Sequence, residues 1–147
     1  MLVYGSVVFD RETGPLPEDS CLWIKFKDVS LQDASSVTID TVTIPYAGQN
    51  IKDKVKYQMK FKKPVAAELW RTFSVSAVLN VGWCADLKNL KETKEWIREG
   101  DYLSDTRHGV AVLPDIDNYE TDIKVRYYCK YWHLTLLIVG LRIFPTP

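Results

Sequence analysis

The chain has 147 residues, of which 19 are basic and 19 acidic, so its formal net charge is zero. Hydrophobic residues make up 46% and charged residues 26%, the balance of one ordinary folded domain, which excludes wholesale disorder and fibrous repeats. The lack of a basic excess argues against nucleic acid or an anionic membrane surface as partner, because both draw affinity from phosphate neutralisation.

The opening "MLVYGSVVFDRETG" alternates apolar and polar residues and predicts a strand from Leu2 to Phe9. It has no basic segment followed by a continuous apolar one, so no signal peptide is expected in the sequence as given; the expected location is cytoplasmic, unless the chain is a mature secreted or periplasmic form. "RETGPLPEDS", with its prolines and glycine, is a turn. The next strand, Leu22 to Val29, puts Leu22, Ile24 and Phe26 on one face and leaves Trp23, Lys25 and Lys27 on the other. An outward tryptophan flanked by lysines is a candidate protein contact; a loop lying across it is the alternative.

In "DVSLQDASS" the chain leaves that strand and must reverse before the next begins at Val37. Asp28, Ser30 and Asp33 are therefore read as a structural turn, their side chains bonding loose amides, with Val29 and Leu31 plugging the end of the core. Strands follow at Val37 to Ile44, in "VKYQMKFKK" and in "RTFSVSAVLNVGW", with "PYAGQN" and "KKPVA" as turns. Val55, Tyr57, Met59 and Phe61 alternate with polar residues, so the run Lys52, Lys54, Lys56, Lys60, Lys62 and Lys63 is the solvent face of a strand rather than an anion site. In the second of these strands Phe73, Val75, Ala77, Leu79 and Val81 share one face, opposite Thr72, Ser74, Ser76 and Asn80.

"ADLKNLKETKEWIREG", residues 85–100, breaks the rhythm with helix formers, Asp86 to cap the start and Gly100 to end it, and predicts one short surface helix inserted into the sheet. Strands resume at Gly109 to Leu113 and Asp122 to Tyr128, around the turn "LPDIDN". Residues 129–147 form an apolar tail whose run from Leu134 to Leu141 is far shorter than the roughly 20 residues that cross a bilayer, so no transmembrane span is expected. The tail is an extra strand, a docking segment or a sequence foreign to the domain. The whole is expected to be all-β: an antiparallel β-sandwich of seven to eight strands with one helical insertion.

Chemistry is sparse. There is no nucleophile elbow, no zinc-protease motif and no phosphate loop, and His108, with Asp105 three residues away, is more simply a hydrogen-bonding residue than a catalytic one. Asp101, Asp105, Asp115 and Asp117 lack the glycine and glutamate of a calcium loop and are read as turn residues. Cys21, Cys84 and Cys129 follow no metal-ligand spacing; one bridge with a free thiol and three reduced thiols both remain open. No catalytic residue, cofactor or metal is expected, and aromatic residues, 12% of the chain, are expected mainly to fill the core.

Taken in order, Gly5, Leu16 with Pro17, Asp28 to Ala34, Gly48 with Gln49, Val55 to Phe61, Ser76 with Ala77, and Asp105 with Thr106 resemble the YscW/YbaY-type lipoprotein domain, a group that includes type III secretion lipoprotein chaperones, or pilotins. The resemblance covers about residues 2–128 and implies a compact β-sandwich that helps deliver or stabilise other proteins rather than catalysing a reaction. No lipidated cysteine stands at the start, residues 85–100 replace a tight hairpin, and the tail has no counterpart. The expected function is a non-enzymatic protein-binding module, chaperone-like or adaptor, whose partner is another protein bound at a face or by strand addition at an open edge. A carrier of small apolar ligands is the alternative, and an enzyme ranks last.

Overall fold

Each stretch whose apolar residues recur with a period of two is a strand in the computed structural model, which describes residues 1–29, 37–62, 72–90, 95–106 and 108–129. Among these residues the strands are β1 (Leu2–Phe9), β2 (Cys21–Asp28), β3 (Val37–Pro45), β4 (Lys54–Lys60), β5 (Phe73–Asn80), β6 (Tyr102–Leu103), β7 (His108–Val110), β8 (Asn118–Glu120) and β9 (Ile123–Tyr127). They form one curled sheet in the order β3-β2-β5-β6-β9-β1-β4, with β7 added on β5 and β8 on β1. Among the described residues β3 and β4 stand at the two ends of that order.

The all-β class is as expected, but three details differ. The sheet has 9 strands and is mixed: β1 runs parallel to both β8 and β9. β6 and β8 are 2 and 3 residues long, too short for alternation to show in the sequence. The helix expected over 85–100 does not occupy its predicted ends, because Asp86 folds into a turn that accepts the amides of Lys88 and Asn89 at 3.2 and 3.3 Å, and Glu95 to Gly100 are irregular. Residues 91–94 lie outside the described residues, as do Ser30, Asp33 and all but Cys129 of the tail.

The switch of β1 from β8 to β9 happens at Gly5. Thr121 donates its amide to the Tyr4 carbonyl at 2.8 Å, and the amide of Ser6 reaches the Asp122 carboxylate at 2.9 Å. Between these bonds the Thr121 carbonyl presses onto Gly5, where a β-carbon would lie 2.2 Å from its oxygen. The Tyr57 hydroxyl, on the next strand, donates to the same oxygen. Only a residue without a side chain admits that approach.

The inner face carries a single large core. β2 contributes Leu22, Ile24 and Phe26, β5 Phe73, Val75, Ala77 and Leu79, β1 Val3 and Val7, β4 Tyr57 and Met59, and β9 Ile123 and Val125, all buried. Phe26 stacks on Phe61 at 4.6 Å and on Phe73 at 5.4 Å, and Tyr102 packs between Phe9 and Tyr127. Each such apolar side chain contributes roughly 1.5–3 kcal/mol by leaving water, so the period-two pattern is what selects this face. The first residue is tied in as well, because Met1 and Phe61 exchange amine-to-carbonyl and amide-to-carbonyl bonds, each 2.9 Å long.

Candidate functional site

The other face of β2 holds the features that the sequence singled out. Trp23 does point away from the main core, across from Val78 of β5, but it is only 3% exposed. The reading of Trp23 as an exposed contact is therefore corrected. Together with Cys21 and Val78 it forms a second apolar cluster, covered by Leu87, Ile97 and Leu103. Trp96 meets the Trp23 ring edge-on, with centroids 6.3 Å apart, while remaining 38% exposed itself. The segment after β5 thus folds back as a second layer over one end of the sheet.

A buried polar hub secures this layer. Asn80, the last residue of β5, is fully buried, and its side-chain oxygen accepts the Trp23 indole N–H and the Ala85 amide, both at 2.9 Å. Its side-chain nitrogen donates to the Trp96 carbonyl at 3.1 Å and to Asp101 at 3.0 Å. Asp101 is 1% exposed, and its carboxylate also accepts the amides of Val81 and Arg98 at 2.9 and 2.8 Å and the Trp83 indole N–H at 3.1 Å. A buried carboxylate is tolerated only when donors replace the water it has lost, and here four groups do so. The Arg98 guanidinium lies 3.9 Å over the Trp83 ring. Gly82 donates its amide to the Ser20 hydroxyl at 2.8 Å, and a disulfide joins Cys21 to Cys84, with Cα atoms 5.4 Å apart. Cys129 is a free thiol.

Between the sheet and this layer lies an open groove of about 270 Å³. Trp23 and Val78 form its floor, and Leu90 and Trp96 its wall. Lys25 and Lys27 border it with the hydroxyl residues Thr38, Ser76 and Ser104. The Lys25 ammonium sits 5.2 Å from the centre of the Trp23 ring. Burial, and next the charge of Lys27, hold the Lys25 amine below its usual pKa. The Ser104 hydroxyl accepts the Ala77 amide at 2.9 Å and so extends the ladder between β5 and β6 into the groove.

The remaining candidates have structural employment. Asp28 closes β2, opposite Val37 and Phe73, and the following Val29 amide reaches the Thr72 carbonyl at 2.8 Å. Asp105 is ion-paired with Arg126. The ring of His108 accepts the Lys124 amide at Nε2, 3.0 Å away, which places its proton on Nδ1, a buried atom with no hydrogen-bond partner among the described residues; burial lowers its pKa, and the nearby Thr106 backbone works in the opposite direction. The loop bearing Asp115 and Asp117 is closed by the Tyr119 hydroxyl, which takes the Leu113 amide at 2.9 Å. Asn80 and Asp101 are what the sequence reading missed as a pair. Their partners lie up to 57 residues away, so no local spacing announces them.

No protein-family model and no curated protein matches the chain. Among solved structures, the fold is similar to that of an alternative pilotin from the type II secretion system of Vibrio cholerae, with a TM-score of 0.52, 22% sequence identity, and coverage of 85% of this chain and 96% of that one.

Proposed function

We propose that the chain is a non-enzymatic protein-binding module, chaperone-like or adaptor, and that it docks a segment of its partner in the groove between β2, β5 and the layer above them. The observation that carries this reading is Trp96: a large aromatic ring 38% exposed beside a buried apolar floor, on a scaffold held by a disulfide and a hydrogen-bonded hub. Rigid aromatic anchors of this kind dominate the energetics of protein interfaces. The likeness in fold to a pilotin and the sequence resemblance to YscW-type lipoprotein chaperones support the same class.

Docking in the groove is favoured over strand addition because both edges carry features that oppose pairing. β3 contains a register shift opposite Phe26 and Lys27 and presents the exposed Asp40 at an inward position, and β4 exposes Lys54, Lys56 and Lys60. The groove itself, about 270 Å³, is smaller than the roughly 300–1,000 Å³ typical of small-molecule sites, which favours a docked segment over a carried ligand there. The Cys21–Cys84 bridge favours an oxidising compartment, such as the periplasm, over the cytoplasm.

The test is site-specific photo-crosslinking in cells from Thr38 and Ser76, with Glu12 as a remote control position. A discrete protein adduct from the groove positions that is absent from the control, and lost in Trp96→Ala while the melting temperature is kept, is the expected result. Equal labelling from Glu12, or no protein adduct together with stabilisation by a small molecule, defeats the proposal.

A further inference from the structure

The neutral total charge of the chain hides an uneven distribution over the sheet. The outer face of β4, β1 and β9 lies across the core from β2 and β5, because the inner residues of both sets pack into one cluster. On that face β4 exposes Lys54, Lys56 and Lys60, and β9 exposes Lys124. The register gathers them around β1: Val8 is paired with Lys54 on one side and Lys124 on the other, Ser6 with Lys56, and Leu2 with Lys60. Lys54 and Lys60 are thus roughly 20 Å apart along the strand, and Lys124 stands two strand spacings, roughly 10 Å, from Lys54. None of these lysines is in an ion pair among the described residues. Several neighbouring acids are already engaged: Asp10 pairs with Arg11, Asp105 pairs with Arg126, and Asp122 takes the Ser6 amide. Asp53 and Glu120 are the exposed acids that remain beside them. Between the lysines Leu2, Tyr4 and Val8 are half-buried, so cations alternate with apolar and aromatic groups over an area on the convex side of the curl. Such an area meets a flat charged surface better than it encloses one extended segment, and lysine stems beside a tyrosine are the composition of a membrane interface.

We propose that this face docks on an anionic lipid surface: Lys54, Lys56, Lys60 and Lys124 lie against the headgroup phosphates, and Tyr4 and Val8 rest at headgroup level. The lysines stand within about one or two screening lengths of each other, so they act together on one patch of lipid, and the attachment is reversible and weakened by salt. The same orientation turns the groove of β2 and β5 away from the membrane and leaves it open to a partner. The two surfaces are separate, and either reading can fail without the other.

The experiment is co-sedimentation of the full chain with vesicles of phosphatidylcholine, either alone or with about one-third phosphatidylglycerol. The expected result is binding to the anionic vesicles only, falling as salt is raised. Each lysine lost lowers the partition coefficient about fivefold, so Lys54→Gln, Lys56→Gln and Lys124→Gln together lower it on the order of a hundredfold. Arginine at the same positions keeps the binding, and Lys88→Gln, on the layer over the groove, leaves it unchanged. Melting temperatures are compared alongside, and the single Lys56→Gln variant, expected to lose about fivefold, stands in if the triple variant unfolds. Equal binding to neutral vesicles, or an anionic partition that the glutamine variants retain, overturns the proposal. So does a lack of binding to anionic vesicles; retention of the chain by immobilised polyglutamate in that case makes an acidic protein segment the occupant.

Discussion

Replacing Asp101 by asparagine keeps the shape of the side chain and exchanges one oxygen for a donor, which makes it a sharp test of the hub. With the new amide nitrogen in the Oδ2 position, it faces the Asn80 nitrogen at 3.0 Å and the Arg98 amide at 2.8 Å, donor against donor. Turned over, it faces the Val81 amide at 2.9 Å and the Trp83 indole N–H at 3.3 Å. The first orientation takes the acceptor from two donors; the second takes it from the Val81 amide alone, because the Trp83 indole N–H keeps its bond of 3.1 Å to the oxygen that remains. The second is therefore preferred, and one such loss costs roughly 1–3 kcal/mol. For a domain of this size that lowers the melting temperature by about 3–10 °C. Urea unfolding at neutral pH, followed in parallel by far-ultraviolet circular dichroism and tryptophan fluorescence, measures it. A loss below about 0.5 kcal/mol would mean that the donors find other partners and that the hub does not hold the layer.

Gly5→Ala drives a β-carbon to 2.2 Å from the Thr121 oxygen, a backbone clash that no rotamer relieves; the expected cost is about 3 kcal/mol, read from the urea midpoint, and a neutral outcome contradicts the close approach. Removing the bridge with Cys21→Ser and Cys84→Ser frees a loop with a sequence separation of 63, for which chain entropy gives a loss of roughly 4 kcal/mol; an unchanged midpoint under reducing conditions argues against it. Because burial lowers the His108 pKa, the unfolded chain takes up its proton first as the pH falls. The His108 contribution is therefore present above its ordinary pKa of about 6.5 and is lost as acid passes through that value. His108→Gln, which can still accept the Lys124 amide, is expected to flatten stability between about pH 7 and pH 5; an unaltered slope shows that His108 is not the group responsible.

The strands were legible because burial on one side of a sheet writes itself into alternate residues, and β1, β2 and β3 lie within one residue of their expected bounds. β6 and β8 were not, since a pair or triplet of residues contains no period. Trp23 shows a different limit. Alternation tells which face a side chain takes, but what lies over that face is decided by residues remote in sequence, here Leu87, Trp96, Ile97 and Leu103. Asp101 read as a loop carboxylate because sequence exposes its charge and not the four donors that converge on it. The glycine of the resemblance, Gly5, has a physical reason in the Thr121 carbonyl, whereas the turn expected from Asp28, Ser30 and Asp33 depends on residues outside the described ones.

The two clamps on the layer above the groove, one at Cys84 and the other at Asp101, both lead back to the same end of β2 and β5. The described residues between them, 85–90 and 95–100, belong to no strand, so their ends are specified by the sheet while they have no strand register to preserve. Selection, or a protein engineer, can rewrite the wall of the groove there and alter which partner is accepted without renegotiating the fold beneath it.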